Sequence, residues 1–313
     1  MIAAFSAPLS ERPFLEGKNM KKKKVYTALN VTAFLLPALL LFIGVLIFPI
    51  IMSGAYSLYD WNGVGAKEFI QFDNYKELFT SKNLRFMKAL GNSLLLALFS
   101  VFLQLPLSLG LALTLGKGRK GERFFLSVYF APVLISTVVI GQLWLKMYNP
   151  DYGIINMFLR WITNNPKIGP IWLGDKKLAL GAAFVPTLWQ YVGYHMLLMY
   201  AGVKSVPIEL REAAMLDGAT QGQVNRYVVI PYMKGIIKVS VIFAITGSLK
   251  SFDLIYVLTN GGPFKATEVP SIIMIRELFI GGRYGMGSTI AVMLIVLCFF
   301  FALVINRIFK EED

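Results

Sequence analysis

Six stretches of this chain are apolar and about as long as a transmembrane helix, which needs roughly 20 residues to cross about 30 Å of hydrocarbon. These stretches cover residues 33–53, 89–115, 124–147, 178–203, 235–258 and 286–308. Hydrophobic residues make up 56% of the chain and charged residues only 16%, so too little polar surface remains to cover a soluble domain. The sequence therefore predicts an all-α integral membrane protein with six transmembrane helices.

The distribution of basic residues predicts how these helices are oriented. Segment 117–123 has four basic residues among its seven, and Lys21–Lys24 precede the first span. Because the number of spans is even, these two segments, the polar interval 204–234 and both termini share one side of the membrane. The positive-inside rule makes that side cytoplasmic and the polar loop at residues 148–177 external. We therefore predict a cytoplasmic tail, a transmembrane domain and a second cytoplasmic tail, at residues 1–30, 31–309 and 310–313.

Composition excludes several other classes of protein. The net charge of +13 comes largely from lysines beside apolar runs, which indicates a membrane protein and no nucleic-acid partner. Cys298 and His195 are the only residues of their types, so a metal site built from several such ligands is excluded. Glycines at Gly116–Gly118 lack the Walker pattern, so this chain does not bind ATP in that way. Residues 1–19 are either a native tail or the product of a misassigned start codon, in which case the protein begins at Met20.

The longest polar interval in the second half of the chain, residues 205–232, predicts two short helices joined by a bend. Ser205 is suited to the N-cap of the first helix. Gly218 can adopt the left-handed conformation that ends such a helix. A second helical stretch is predicted from Thr220 to Ile230, ending where Pro231 cannot continue it.

The same interval resembles the EAA loop of permease subunits of ABC importers. The resemblance rests on a run of Glu-Ala-Ala followed four residues later by glycine and then by an Ile-Pro pair. It implies that the first short helix sits in a groove of a cytoplasmic ATPase subunit and transmits its motion. The alternative is an ordinary amphipathic hairpin between two spans. The residues assigned to the ATPase-coupling loop are Glu212, Ala213, Ala214, Asp217, Gly218 and Pro231.

A second motif resembles the sugar-importing branch of these permeases. Residues 252–263 read FDLIYVLTNGGP, and Ala266-Thr267 follow shortly after. Gly261, Gly262 and Pro263 predict a tight turn where the fifth span leaves the membrane on the external side. The alternative is a turn common to many permeases. The whole resemblance covers about residues 30–309.

Polar residues inside two predicted spans are candidates for the substrate path. Gln190, Tyr191 and Tyr194 in the fourth span combine hydrogen-bonding groups with aromatic rings that stack on sugars. Lys250 and Asp253 lie three residues apart in the fifth span, which predicts that they share one helix face. The alternatives are helix packing for the aromatic residues and a mutual ion pair for the charged residues. For His195 we expect a packing role with its hydrogen bonds satisfied.

The resemblance implies a permease subunit that translocates a carbohydrate, most simply an oligosaccharide, and is not itself an enzyme. It implies no cofactor on this chain, with ATP and Mg bound by two cytoplasmic ATPase subunits. The other implied partners are a second, homologous permease subunit, an extracytoplasmic solute-binding protein and the lipid bilayer of a bacterial inner membrane. One alternative is a permease for glycerol phosphate or another non-sugar solute. Another is an integral-membrane transferase, although sparse intramembrane carboxylates and the single histidine oppose it.

Overall fold

The computed structural model describes residues 32, 34–118 and 120–309, and most of these residues are helical. The chain divides into two compact units, Met1–Ala55 and Tyr56–Asp313. Helix α1 covers Phe34–Tyr56, all but its last residue in the first unit, and includes a π-helical turn at Ile43–Ile47. The predicted tails 1–30 and 310–313, and the question of residues 1–19, lie outside the described residues.

The second unit opens with a small hairpin that departs from the all-α prediction. Strand β1, Tyr59–Asp60, pairs antiparallel with β2, Glu68–Phe69, with Tyr59 opposite Phe69. Helix α2, Asp73–Thr80, follows the hairpin. The remaining elements are helical.

Eleven helices complete the described part of the second unit, several of them joined end to end. The first five are α3 (Phe86–Leu115, with a π-helical stretch at Ser100–Gln104), α4 (Glu122–Leu134), α5 (Thr137–Met147), α6 (Ile154–Thr163) and α7 (Ala179–Ser205). The next two are α8 (Ile208–Leu216) and α9, which begins with Gln221–Val224, continues through a π-helical turn at Asn225–Val229 and ends with Ile230–Tyr232. The last four are α10 (Lys234–Leu249), α11 (Asp253–Thr259), α12 (Pro270–Ile275, continued by a π-helical turn at Arg276–Ile280) and α13 (Tyr284–Ile308).

Four helical segments of the described chain are long and apolar enough to cross a membrane: Phe34–Tyr56, Phe86–Leu115, Lys234–Thr259 and Tyr284–Ile308. A fifth is added if α4 and α5 are taken as one broken span. Helix α7 has 27 residues, about 40 Å at 1.5 Å per residue, but carries more polar side chains. The four segments agree with the first, second, fifth and sixth predicted spans.

The third predicted span, residues 124–147, is divided into two helices. Helices α4 and α5 meet at an angle of 95°. The backbone leaves the helical region at Ile135 and Ser136, where ψ is 140° and 131°. The chain therefore changes direction between Leu134 and Thr137.

Helix α7 supplies the centre of the largest core cluster. Buried side chains of α7 pack there against α3, α9 and α10, with Met196, Met199 and Val203 as its own contribution. The outer faces of the long helices instead expose large apolar side chains, including Phe102, Leu103, Phe299 and Leu303. Apolar side chains exposed in this way fit lipid as the surrounding solvent, since monomeric soluble proteins rarely expose large apolar patches.

Candidate functional site

A cavity of about 320 Å³ lies among α3, α7, α10 and the start of α11. Its wall contains the π-helical stretch of α3, the middle of α7 and the residues that separate α10 from α11. This volume is at the lower end of the range found for small-molecule sites. The cavity is therefore a candidate for solute binding between the helices.

The structure brings all five predicted path residues to this cavity. Gln190, Tyr191 and Tyr194 come from α7, while Lys250 and Asp253 flank the break after α10. The two groups are far apart in sequence and meet only because α7 and α10 pack together. Their role in transport stays a prediction.

The prediction that Lys250 and Asp253 share one helix face is wrong. Helix α10 ends at Leu249, Lys250 is its C-cap, and Asp253 is the first residue of α11. Phe252 lies outside the helical region between them, with φ −145° and ψ −67°. The ion pairs among the described residues do not include one between Lys250 and Asp253. The alternative interpretation, a mutual ion pair, is therefore also wrong. Each charge faces the cavity separately.

A polar pair on α3, which the sequence reasoning missed, completes one wall. Gln104 donates from Nε2 to the backbone carbonyl of Leu188 on α7 at 2.7 Å, and Ser100 donates to Oε1 of Gln104. Both residues lie in the π-helical stretch, and such stretches occur frequently at functional sites. The available signal was a glutamine and a serine inside an otherwise apolar run.

Two buried polar atoms on α7 lack a hydrogen-bond partner among the described residues. Gln190 is only 2% exposed, and its Oε1 atom accepts no hydrogen bond. His195 is 4% exposed, and its Nδ1 atom is likewise without a partner. The expectation that the hydrogen bonds of His195 are satisfied is therefore wrong for its Nδ1 atom. Since an unpaired buried polar group costs free energy, both atoms are available to a solute or water in the cavity.

A proline one turn from the cavity is accommodated by a distant side chain. Pro186 has no N–H to donate to the carbonyl of Ala182, four residues earlier in α7. Tyr148, which caps α5, donates its hydroxyl to that carbonyl at 2.9 Å. The hydrogen bond lost at the proline is thus replaced across 34 residues of sequence.

The predicted coupling loop forms a short, solvent-exposed helix. In α8, Glu212 and Ala213 are exposed, whereas Ala214 packs against the largest core cluster. Leu216 at its end is 89% exposed. Gly218 has φ +85°, so the left-handed turn after this helix is present as predicted. The loop therefore presents one helix face outward while its other face is held by the core.

Two details of that loop differ from the prediction. Ser205 is the last residue of α7, with its hydroxyl bonded to the Gly202 carbonyl at 2.8 Å, and Pro207 is the N-cap of α8 instead. Pro231 does not end the second helix, which continues to Tyr232. The preceding π-helical turn already changes the hydrogen-bond pattern, so the proline is tolerated there.

Arg211 ties α8 to α7, which the sequence did not indicate. Its Nη2 atom donates to the backbone carbonyl of Val203. That carbonyl lies four residues before Pro207, which has no N–H to offer it. The guanidinium therefore satisfies a helix-terminal carbonyl and fixes where α8 begins.

The predicted tight turn after α11 is present. Gly261 has φ +84°, and an added Cβ would lie 2.8 Å from Cγ of Glu268. The Gly262–Pro263 peptide bond is cis. Thr267 donates its hydroxyl to the Gly262 carbonyl at 2.8 Å. Glycine is required at position 261 for both conformation and space.

A cluster of charges fixes α2 beside the start of α13. Arg283 contacts Glu77 at 2.5 Å and Glu277 at 3.5 Å. The hydrogen bond with Glu77 raises the pKa of Arg283. Asn74 also donates to the Tyr59 carbonyl at 3.0 Å, which joins α2 to the hairpin.

Comparison with known proteins gives a consistent family. Residues 104–311 match the family described as "Binding-protein-dependent transport system inner membrane component". The chain is 36% identical over 280 residues to the probable ABC transporter permease protein YurN of Bacillus subtilis, covering 88% of this chain and 94% of the relative. It is 31% identical over 246 residues to the xylose/arabinose import permease protein XacH of Haloferax volcanii, covering 78% and 76%.

A solved structure shares the fold. It is a chain of a bacterial ABC transporter involved in the import of the acidic polysaccharide alginate, with a TM-score of 0.79 and 23% identity. The match covers 94% of this chain and 99% of the other. At this identity the similarity establishes the architecture alone.

Proposed function

The chain belongs to the family of binding-protein-dependent transport system inner membrane components, and from that premise we propose that it is the permease subunit of an ATP-driven importer of a carbohydrate, most simply an oligosaccharide. Xylose, arabinose, trehalose and maltose appear in the names of its relatives. The observation that carries the proposal is the cavity between the helices. Gln190, Tyr191 and Tyr194 offer it hydrogen-bonding groups and aromatic rings, as sugar binding requires.

We further propose the six-span arrangement, with α7 as the fourth span and α4–α5 as a broken third span. The lower apolarity of α7 has a local cause, because Gln190 and His195 face the cavity and not lipid. The basic segment 117–123, the loop 205–232 and both termini are then cytoplasmic. The protein is a multi-pass component of a bacterial plasma membrane.

Helix α8 is the proposed contact with an ATPase subunit. It is exposed, it carries Glu212 and Ala213 outward, and Arg211 and Gly218 fix its two ends. Two ATPase subunits would bind ATP and Mg, while this chain binds no cofactor. A second, homologous permease subunit and an extracytoplasmic solute-binding protein complete the complex.

Glu212→Ala tests the coupling role. We expect the variant to insert and to pair with the second permease, because its carboxylate takes no part in core packing. ATPase docking, or ATP hydrolysis stimulated by loaded binding protein, should fall severalfold through loss of a charge-assisted bond. Co-purification and hydrolysis in proteoliposomes measure this, with Glu68→Gln on β2 as the control. Full docking and full stimulation by Glu212→Ala would contradict the assignment.

A permease for glycerol phosphate is the remaining alternative. A phosphate-bearing solute favours several Lys or Arg side chains. Among the described residues of the cavity wall, Lys250 is the single cation, and the Asp253 carboxylate lies in the same wall. This balance favours an uncharged solute. Family membership also opposes an integral-membrane transferase.

Uptake by the complete reconstituted complex decides between these solutes. We expect ATP-dependent uptake of a labelled oligosaccharide when its binding protein is present, and none of glycerol 3-phosphate. Gln190→Leu should lower sugar uptake while leaving complex assembly intact. Uptake of glycerol phosphate alone would replace the carbohydrate proposal.

A further inference from the structure

Segment 148–177 was predicted to be a polar loop, but it contains the amphipathic helix α6. Large apolar side chains cover one side of this helix, and Trp161 among them is 76% exposed. At 100° per residue they occupy an arc of about 140° that contains no charged residue. These side chains are Ile154, Met157, Phe158, Trp161 and Ile162.

Two polar side chains on the opposite side of α6 are bonded to its own loop. Asn156 is buried, accepts from Nε1 of Trp172 at 2.7 Å and donates to the carbonyls of Pro150 and Pro170 at 3.2 Å. Arg160 donates to three backbone carbonyls at 2.7 to 2.9 Å, those of Pro150, Asp151 and Ile168. Because the polar side is held against the loop, the apolar side of α6 faces away from the loop.

The contacts of the loop around α6 place this helix near the N-terminal end of α7. Trp172 contacts Tyr148 with ring centroids 5.9 Å apart, and Tyr148 bonds to Ala182 in the first turn of α7. Helix α6 has 10 residues, or about 15 Å, which is too short to cross hydrocarbon. Tryptophan is enriched at the boundary between the hydrocarbon and the headgroups of a membrane.

We propose that α6 is an interfacial anchor that lies in the membrane surface, with its apolar face between the phospholipid headgroups and acyl chains. The surrounding segment has four basic and two acidic side chains, which suits phosphate headgroups. Lipid surrounds the membrane helices at all times, so it can cover this apolar face permanently, whatever solute is transported.

Depth-dependent quenching tests the anchor in the complete complex in nanodiscs. Single cysteines are introduced by Ile154→Cys and Ile162→Cys in a Cys298→Ser background and labelled with a polarity-sensitive fluorophore. Thr163→Cys, adjacent and exposed but on the polar side, is the matched control. Brominated acyl chains should quench the two apolar-face labels at least about twofold more than the control, without binding protein.

Equal quenching at all three positions would overturn the proposal, and so would a blue shift of the label's fluorescence that occurs only after binding protein is added. A blue shift that brominated lipid does not quench would identify a protein partner and would also overturn it. The native side chain gives a second measurement that does not need labelling. Trp161→Phe should remove a large share of tryptophan quenching by brominated lipid, and unchanged quenching would refute the anchor.

Discussion

Two backbone carbonyls left without partners by prolines are each satisfied by a remote side chain. Tyr148 donates to Ala182, four residues before Pro186, and Arg211 donates to Val203, four residues before Pro207. A carbonyl without a partner is costly in a protein interior surrounded by lipid. These two side chains therefore stabilise the ends of α7 without belonging to its apolar pattern.

Tyr148→Phe should lower the free energy of unfolding by about 1 kcal/mol, because it removes one hydroxyl and leaves the ring contacts in place. The measurement is thermal unfolding of the purified complex, with the exposed Tyr152→Phe as a matched control. In a Pro186→Ala background the backbone N–H is restored, so the effect of Tyr148→Phe should shrink. Equal losses in both backgrounds would show that the hydroxyl does not replace the missing hydrogen bond.

Gly193 allows α4 and α7 to approach closely. An added Cβ would overlap the backbone carbonyl of Tyr129, which cannot move aside as a side chain can. Gly193→Ala should therefore cost 1–3 kcal/mol or more, on the order of other overpacking changes, and reduce the yield of folded complex severalfold. Gly181→Ala, on the same helix with nothing within 4 Å, should be tolerated. Comparable yields from the two variants would refute this helix contact.

At the scale of elements, the helices are interrupted where the cavity and the loop require it. The cavity lies beside the π-helical stretch of α3 and the break between α10 and α11. Broken helices expose backbone groups and polar side chains within the membrane, which is where transporters commonly bind solutes. The interruption between α10 and α11 directs Lys250 and Asp253 into the cavity.

The turn after α8 depends on the conformation of Gly218 and not on space around it. Its φ is +85°, yet nothing lies within 4 Å of an added Cβ. Gly218→Ala should thus cost roughly 1–2 kcal/mol through backbone strain and disturb the direction of α8. Gly222→Ala, equally open but with ordinary φ, is the control. Limited proteolysis of the loop reports the difference, and identical cleavage rates would count against the strain argument.

At the scale of the whole molecule, the proposed topology places loop 205–232 and segment 148–177 on opposite sides of the membrane. Ser205→Cys and Lys167→Cys, in a Cys298→Ser background, report the two sides, since both positions are exposed. An impermeant reagent should label intact cells at position 167 and reach position 205 only after permeabilisation. The reverse pattern would invert the orientation.

The sequence alone determined the features that depend on neighbouring residues. Apolar runs located the spans at 89–115 and 286–308, and Gly218 and Gly261 were read as turns, because hydropathy and left-handed backbone preference are local properties. Amphipathic helix α6 was also readable from its period but was missed, because ten residues among prolines and asparagines were taken as a loop.

Only the tertiary structure decided which distant groups meet. It determined the 95° bend between α4 and α5, the break that separates Lys250 from Asp253, and the gathering of residues of α3, α7 and α10 around one cavity. It also paired Tyr148 with Ala182 and Arg211 with Val203. These contacts satisfy hydrogen bonds and fill space between separate helices, and the strength of such contacts depends on three-dimensional packing that no local pattern encodes.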